Sequence, residues 1–206
     1  DATGLAKRLI DFVNLLLGRF RSGLGAVTVV TTALFSSISG TDSAAIACIG
    51  TVMIPRLVEK GYDRGHSTAL VACSGILGQL VPPSVPMIFY AIITGSSILG
   101  VWFSTLGPAI IIVLVYCFLN AWAVRKMPIV AEKNEGPLSV QALNVASSGL
   151  RCLPVLVLPI FIFGSLYSGL ITPTEVALIG VFYVLILGLF YRVLSFEEIK
   201  AAAIST

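Results

Sequence analysis

Apolar residues in this chain fall into long blocks, and the interruptions are as informative as the blocks. Residues 4–21 place Leu5, Leu9, Phe12, Val13, Leu16 and Phe20 on one helical stripe, with Lys7, Arg8, Asp11 and Arg19 elsewhere. Such a helix suits the interface plane of a bilayer rather than a crossing. The next block, residues 25–54, is split by the polar run "SSISGTDS" at 36–43. Its apolar arms, 26–35 and 44–54, hold 10 and 11 residues, or about 15–17 Å of helix. Neither arm reaches across a hydrocarbon core of roughly 30 Å. The block is therefore expected to be either one overlong broken span or a hairpin that enters and leaves on one side.

A third block, residues 67–94, carries "GILGQLVPPSVP" at its centre. Pro82, Pro83 and Pro86 remove amide donors and disfavour helix just before them, which predicts two half-helices joined by an unwound turn. Ordinary spans are expected at 107–124, 152–170 and 173–191. The connector 125–151 is polar, with an interfacial helix near 138–150. Thr172-Pro-Thr-Glu175 and Ser195-Phe-Glu-Glu198 read as capping boxes, the second opening a short surface helix.

Composition fixes the solvent. Of 206 residues, 57% are hydrophobic and 11% charged, against about a quarter charged in a typical soluble domain. The expected class is an all-α integral membrane protein, lying in a lipid bilayer. No basic tract of nucleic-acid type occurs, so no nucleic-acid partner is expected. Cys48, Cys73, Cys117 and Cys152 lack the spacing of a metal site and read as packing residues.

The placement of Lys and Arg separates the two forms of the 25–54 block. If it is a re-entrant hairpin, all 13 basic residues fall on the cytoplasmic side, and the loops 95–106 and 167–175, free of them, lie outside. If it crosses fully, Arg19 and Arg21 oppose Arg56, Lys60 and Arg64, and the asymmetry is lost. The re-entrant hairpin is the expected form.

Irregular backbone at membrane depth is tolerated only where it is buried in protein or lines a polar cavity. Two such breaks close in sequence point to a site. Half-helix C-termini offer carbonyls to a dehydrated cation, and half-helix N-termini offer amides to an anion. The tip Ser39-Gly40-Thr41 and the turn from Gly78 to Pro83 supply hydroxyls and carbonyls together. Asp42, the one carboxylate at this depth, reads equally as a ligand or as a cap on amides two or three residues ahead. Gln79 is expected to satisfy freed backbone groups in the turn, His66 to be an interfacial, solvated side chain, and Trp102 and Tyr191 to be interfacial anchors.

The succession "RLIDFVNLLLG", "SGLGAVTVVTTALFSSISGTDSAAIACIGTVMIPRLVEKGYD", "VPPSVPMIFYAIITGSSI" and "GLITPTEVA" resembles the large membrane subunit of tripartite ATP-independent periplasmic (TRAP) transporters. The resemblance covers nearly the whole chain. It implies an elevator-type fold in the bacterial inner membrane and Na⁺-coupled uptake of an organic acid of the C4-dicarboxylate or sialic acid type. It also implies two protein partners, a small membrane subunit and a periplasmic substrate-binding protein. Na⁺ is the coupling ion, with no cofactor and no enzyme activity.

Mapped onto this chain, the resemblance implies Na⁺ coordination at Ser39, Thr41, Gly78, Val81 and Pro83, largely through backbone carbonyls. Substrate contacts are implied at Ser39, Gly40, Thr41, Asp42 and Ser84. The implied organisation is an interfacial arm (1–24), a moving half-domain (25–95) with hairpin 25–60 and broken helix 65–95, and scaffold helices (96–192). A surface helix (193–206) would lead to a second repeat, because family members are about twice this length. Rival readings are an elevator-type carboxylate carrier without a binding protein, a membrane enzyme using Ser39, and a non-transporting scaffold subunit.

Overall fold

The computed structural model describes residues 5–18, 20, 22–129, 157, 160–162, 164–165, 168 and 173–190, and the regular elements among them are all helical. The predicted helices near 138–150 and after Ser195, Tyr191, Cys152 and most of the 152–170 span lie outside the described residues.

Helix α1 (Leu5–Leu17) forms over the predicted stripe but uses only part of it inward. Leu9, Ile10 and Val13 are buried, while Leu16 and Phe20 stay exposed. Ile10 and Val13 join Leu24 and Val27 of α2 (Gly23–Ser39), and Ile49, Met53 and Leu57 of α3 (Asp42–Glu59), in the largest apolar cluster. The amphipathic arm is thus seated on the two helices that follow it.

Those two helices form a hairpin whose arms are longer than the apolar count predicts. They hold 17 and 18 residues, about 26 Å each, because the serines of "SSIS" continue the helix. A hydroxyl can stay in an apolar helix by bonding a carbonyl of the preceding turn. Thr28 Oγ1 donates to Leu24 O at 2.9 Å, Thr32 Oγ1 to Thr28 O at 2.8 Å and Ser37 Oγ to Leu34 O at 2.7 Å. The non-helical break therefore shrinks to Gly40 and Thr41.

The third block breaks as its prolines dictate. Helix α4 (Arg64–Ser74) and the short α5 (Leu77–Leu80) precede an unwound stretch at 81–84, after which α6 (Val85–Thr94) leaves at 40°. Helix α7 (Ile98–Ala123) starts nine residues before the predicted 107. Ser97 Oγ caps it by accepting from Gly100 N–H at 3.4 Å, so most of the expected loop 95–106 is helix. Trp102, expected as an interfacial anchor, is buried among Met87, Ile88, Ile98, Leu99 and Ile162. With its 3₁₀ extension Val124–Lys126, α7 is long and apolar enough to cross a bilayer. It packs along α2, α5 and α6. Helix α8 covers Pro173–Phe190; the predicted cap at Thr172 lies outside the described residues.

One end of the molecule is held together by polar contacts. Asn120, 1% exposed, donates through Nδ2 to Ser22 O at 3.1 Å, and its Oδ1 lies 3.0 Å from His66 Nε2. The Tyr62 hydroxyl accepts from Gly25 N–H at 3.3 Å, and its ring stacks on His66 at 6.2 Å. The start of α2, the α3–α4 turn, the start of α4 and the end of α7 therefore meet at one level. His66 is half-buried and bonded rather than solvated. Burial raises the Tyr62 pKa above its ordinary 10.0, against the opposing hydrogen bonds from Gly25 and Asn120.

Candidate functional site

The site is built where the hairpin tip meets the proline turn. Gly40 ends α2 in the left-handed region (φ 65°), its N–H donating to Ser36 O at 2.8 Å. That conformation costs a residue with a Cβ, which is why glycine stands there. Thr41, extended at φ −138° and ψ 144°, is the N-cap residue of α3. Asp42 follows at the first helical position, so its negative charge sits at the positive end of the helix dipole.

Three backbone contacts join tip and turn. Val85 N–H donates to Gly40 O at 3.2 Å. Gly78 lies directly on the tip, where an added Cβ would come 2.6 Å from Asp42 N and Cα and 2.7 Å from Thr41 C. Gly40 faces Pro83 in the same way, 3.1 Å separating its hypothetical Cβ from Pro83 O. A side-chain contact completes the join, Gln79 Nε2 donating to Asp42 Oδ2 at 2.9 Å.

Two sequence expectations change here. The Asp42 carboxylate does not cap amides two or three residues ahead, since Oδ1 accepts from the next amide, Ser43 N–H, at 2.7 Å. Gln79 serves Asp42 rather than the freed backbone of the turn. Both follow from the close seating of Gly78, which brings its neighbour onto the tip.

The structure brings Ser39, Gly40, Thr41, Asp42, Gly78, Pro83 and Ser84 to one region. Ser39 Oγ donates to Thr41 O at 3.3 Å, and Ala45 N–H reaches the same carbonyl at 3.4 Å; both bonds are long, leaving that oxygen weakly engaged. Val81 N–H is committed to Leu77 O at 2.8 Å, and its side chain packs on the cluster of Val29, Leu70 and Leu77. The Ser84 hydroxyl is buried, with no hydrogen-bond partner among the described residues, and Ser36 Oγ in α2 is in the same state. A buried unpaired hydroxyl costs about 1–3 kcal/mol, so its retention calls for a reason.

Sequence reasoning missed Ser36, hidden in a run read as irregular, and Asn120. For Asn120 the signal was present: an amide inside the apolar run "VLVYCFLNAWAV" needs partners. Among the described residues no group of His, Cys, Asp and Glu could hold a multivalent metal. The described chemistry is oxygen-rich and nearly uncharged.

Among the described residues the chain is helical, with one helix long and apolar enough to cross a membrane, a two-residue hairpin tip and a proline-broken partner. The family profile described as "Tripartite ATP-independent periplasmic transporter, DctM component" matches residues 1–206. The chain belongs to that family, the large permeases of TRAP transporters, which are membrane transport proteins and not enzymes. It is 33% identical over 199 residues to the C4-dicarboxylate TRAP transporter large permease protein DctM of Pseudomonas aeruginosa, covering 95% of this chain and 45% of that protein. It is 33% identical over 205 residues to the ectoine TRAP transporter large permease protein TeaC of Halomonas elongata, covering 98% and 46%. Against the sialic acid TRAP transporter permease protein SiaT of Haemophilus influenzae it is 31% identical over 199 residues, covering 95% and 31%. The chain thus spans less than half the length of these relatives.

Proposed function

We propose that this chain forms one half of the transport site of a Na⁺-coupled, elevator-type permease for an organic acid. In that reading a periplasmic binding protein delivers the substrate, and a small membrane subunit accompanies the permease in the bacterial inner membrane. The observation that carries the proposal is the seating of Gly78 on Thr41 and Asp42. It makes hairpin tip and proline turn a single oxygen-lined unit at the junction of two broken elements.

Helix lengths support a re-entrant hairpin. Its arms of about 26 Å end well short of α7, whose 26 residues span about 39 Å. The bases of α2 and α3 lie level with the end of α7, at the Asn120 cluster. The tip then lies within the bilayer, and the bases emerge beside Arg56, Lys60, Arg64, Arg125 and Lys126, the side the distribution of basic residues marks as cytoplasmic.

Na⁺ would be held by oxygens of Ser39 and Thr41 with carbonyls of Gly78, Val81 and Pro83, a hard-oxygen set suited to an alkali cation. Ser84, at the N-terminus of α6, would donate its hydroxyl to the substrate carboxylate, beside Ser39 and Gly40. Asp42 is assigned a positioning role rather than contact with the substrate, because a second carboxylate would repel it. The remaining half of the site would come from outside this chain. The substrates in the relatives' names differ, so the panel to be tested is wide.

The test uses the full-length protein and its small membrane subunit in proteoliposomes, with the cognate binding protein outside. An inward Na⁺ gradient should drive accumulation of one compound among C4-dicarboxylates, sialic acids and ectoine, and only with binding protein present. Accumulation that is indifferent to replacing Na⁺ by K⁺ would remove the coupling ion. Accumulation without binding protein would favour the simpler carrier.

A further inference from the structure

Away from the tip, α4 and α7 diverge around an open cavity of about 250 Å³. Its walls are apolar, formed by Ala69, Leu70 and Cys73 of α4 and by Tyr116 and Leu119 of α7, and it ends at the polar pair His66 and Asn120. From His66 to Cys73 the wall runs two helical turns, roughly 10 Å. The cavity is smaller than the roughly 300–1,000 Å³ of pockets for drug-sized ligands, and its open, apolar lining suits a stretch of hydrocarbon chain. Cys73, expected as a packing residue, is instead exposed on this wall.

The polar end of the groove has the markings of a headgroup level. Trp122 borders it and is 66% exposed, as an indole at a membrane–water boundary is. Lys126 lies one turn beyond Trp122, and Arg125 is beside it. Both are exposed, and neither makes an ion pair among the described residues. Asp63, the nearby acid, already accepts from His66 N–H at 3.0 Å as the cap of α4. An apolar trough with an exposed indole on its lining and two exposed cations in the 3₁₀ turn just beyond it complements an amphiphile with an anionic head.

We infer that the groove between α4 and α7 binds an anionic phospholipid, one acyl chain along Leu70, Cys73 and Leu119 and the phosphate against Arg125 and Lys126. Each cation near an anionic membrane surface favours binding by roughly fivefold, so the pair supplies selectivity for an anionic over a zwitterionic head. The Ser39–Ser84 region takes no part, and the site stands whether or not the transport reading holds.

The experiment is native mass spectrometry of the detergent-purified full-length protein, titrated with phosphatidylglycerol or phosphatidylcholine of the same chains. The expected result is retention of phosphatidylglycerol about tenfold or more above phosphatidylcholine. The double variant Arg125→Gln/Lys126→Gln should bring the two lipids level, and Cys73→Phe, which fills the trough, should lower both. Equal retention by the unaltered protein, or an unchanged preference in the double variant, overturns the proposal. So does undiminished retention in Cys73→Phe, including the case in which that variant only loses thermal stability because another segment of the full-length chain or the small subunit covers the groove.

Discussion

Gly78 packs its Cα face against the backbone of Asp42, so closely that a methyl group there would stand 2.6 Å from Asp42 N and Cα. Thr41 and Asp42 are backbone at that point and cannot swing aside as a flexible side chain would. Gly78→Ala must push the tip away from the turn. In the full-length protein we expect Na⁺-dependent uptake to fall by about tenfold or more, since misplacement by an ångström at a site costs on that order or beyond. Gly107→Ala is the control: nothing lies within 4 Å of its hypothetical Cβ, and replacing a helical glycine there should stabilise by about 0.5–1 kcal/mol. Equal uptake by both variants would dissociate the contact from function.

The Gln79–Asp42 bond, 2.9 Å long, is expected to behave as a unit. Gln79→Leu, Asp42→Asn and the double variant should raise the Na⁺ concentration for half-maximal uptake by roughly the same factor, because the second change removes nothing the first has left. Independent, multiplying effects would assign Asp42 a role of its own, as a direct ligand.

Ser84 separates stability from binding. Its hydroxyl is buried without a partner among the described residues, so Ser84→Ala should leave thermal stability unchanged or raise it by about 1 kcal/mol. Substrate affinity should fall at the same time. A variant that is both less stable and unaltered in affinity would make Ser84 a packing residue.

Tyr62 sets an alkaline limit. Burial holds its folded-state pKa above the ordinary 10.0, so the unfolded chain releases this proton first as pH rises. The contribution of Tyr62 to stability is complete below about pH 10 and is lost as pH climbs from there through the folded-state value. Thermal unfolding followed from neutral to strongly alkaline pH should show this decline, and Tyr62→Phe should flatten it. An equally steep decline in the Phe variant would place the titrating group elsewhere.

The tip itself was legible because its chemistry is local. Prolines at 82, 83 and 86 break a helix wherever they occur, and Gly40 followed by Thr41 and Asp42 is a helix end followed by a helix start. The arm lengths were underestimated for an equally physical reason. Serine and threonine look like interruptions to an apolar count, yet they continue a helix by bonding the preceding turn, as Thr28 and Thr32 do. Likewise the apolar pattern could not place the start of α7, because the cap at Ser97 is a hydroxyl with no marker beside it.

By itself, then, the sequence determined the all-helical membrane class, the two broken elements and the oxygen-rich residues of the tip. Each rests on composition, proline geometry or capping, which act over a few residues. Only the tertiary structure decided which partners those residues take. Gln79 meets Asp42 across 37 positions, His66 meets Asn120 across 54, and Asn120 meets Ser22 across 98. Such pairs depend on the rotation and level of whole helices, set by the packing of Leu24, Val27, Ile49 and Met53 and by the close approach that Gly78 permits.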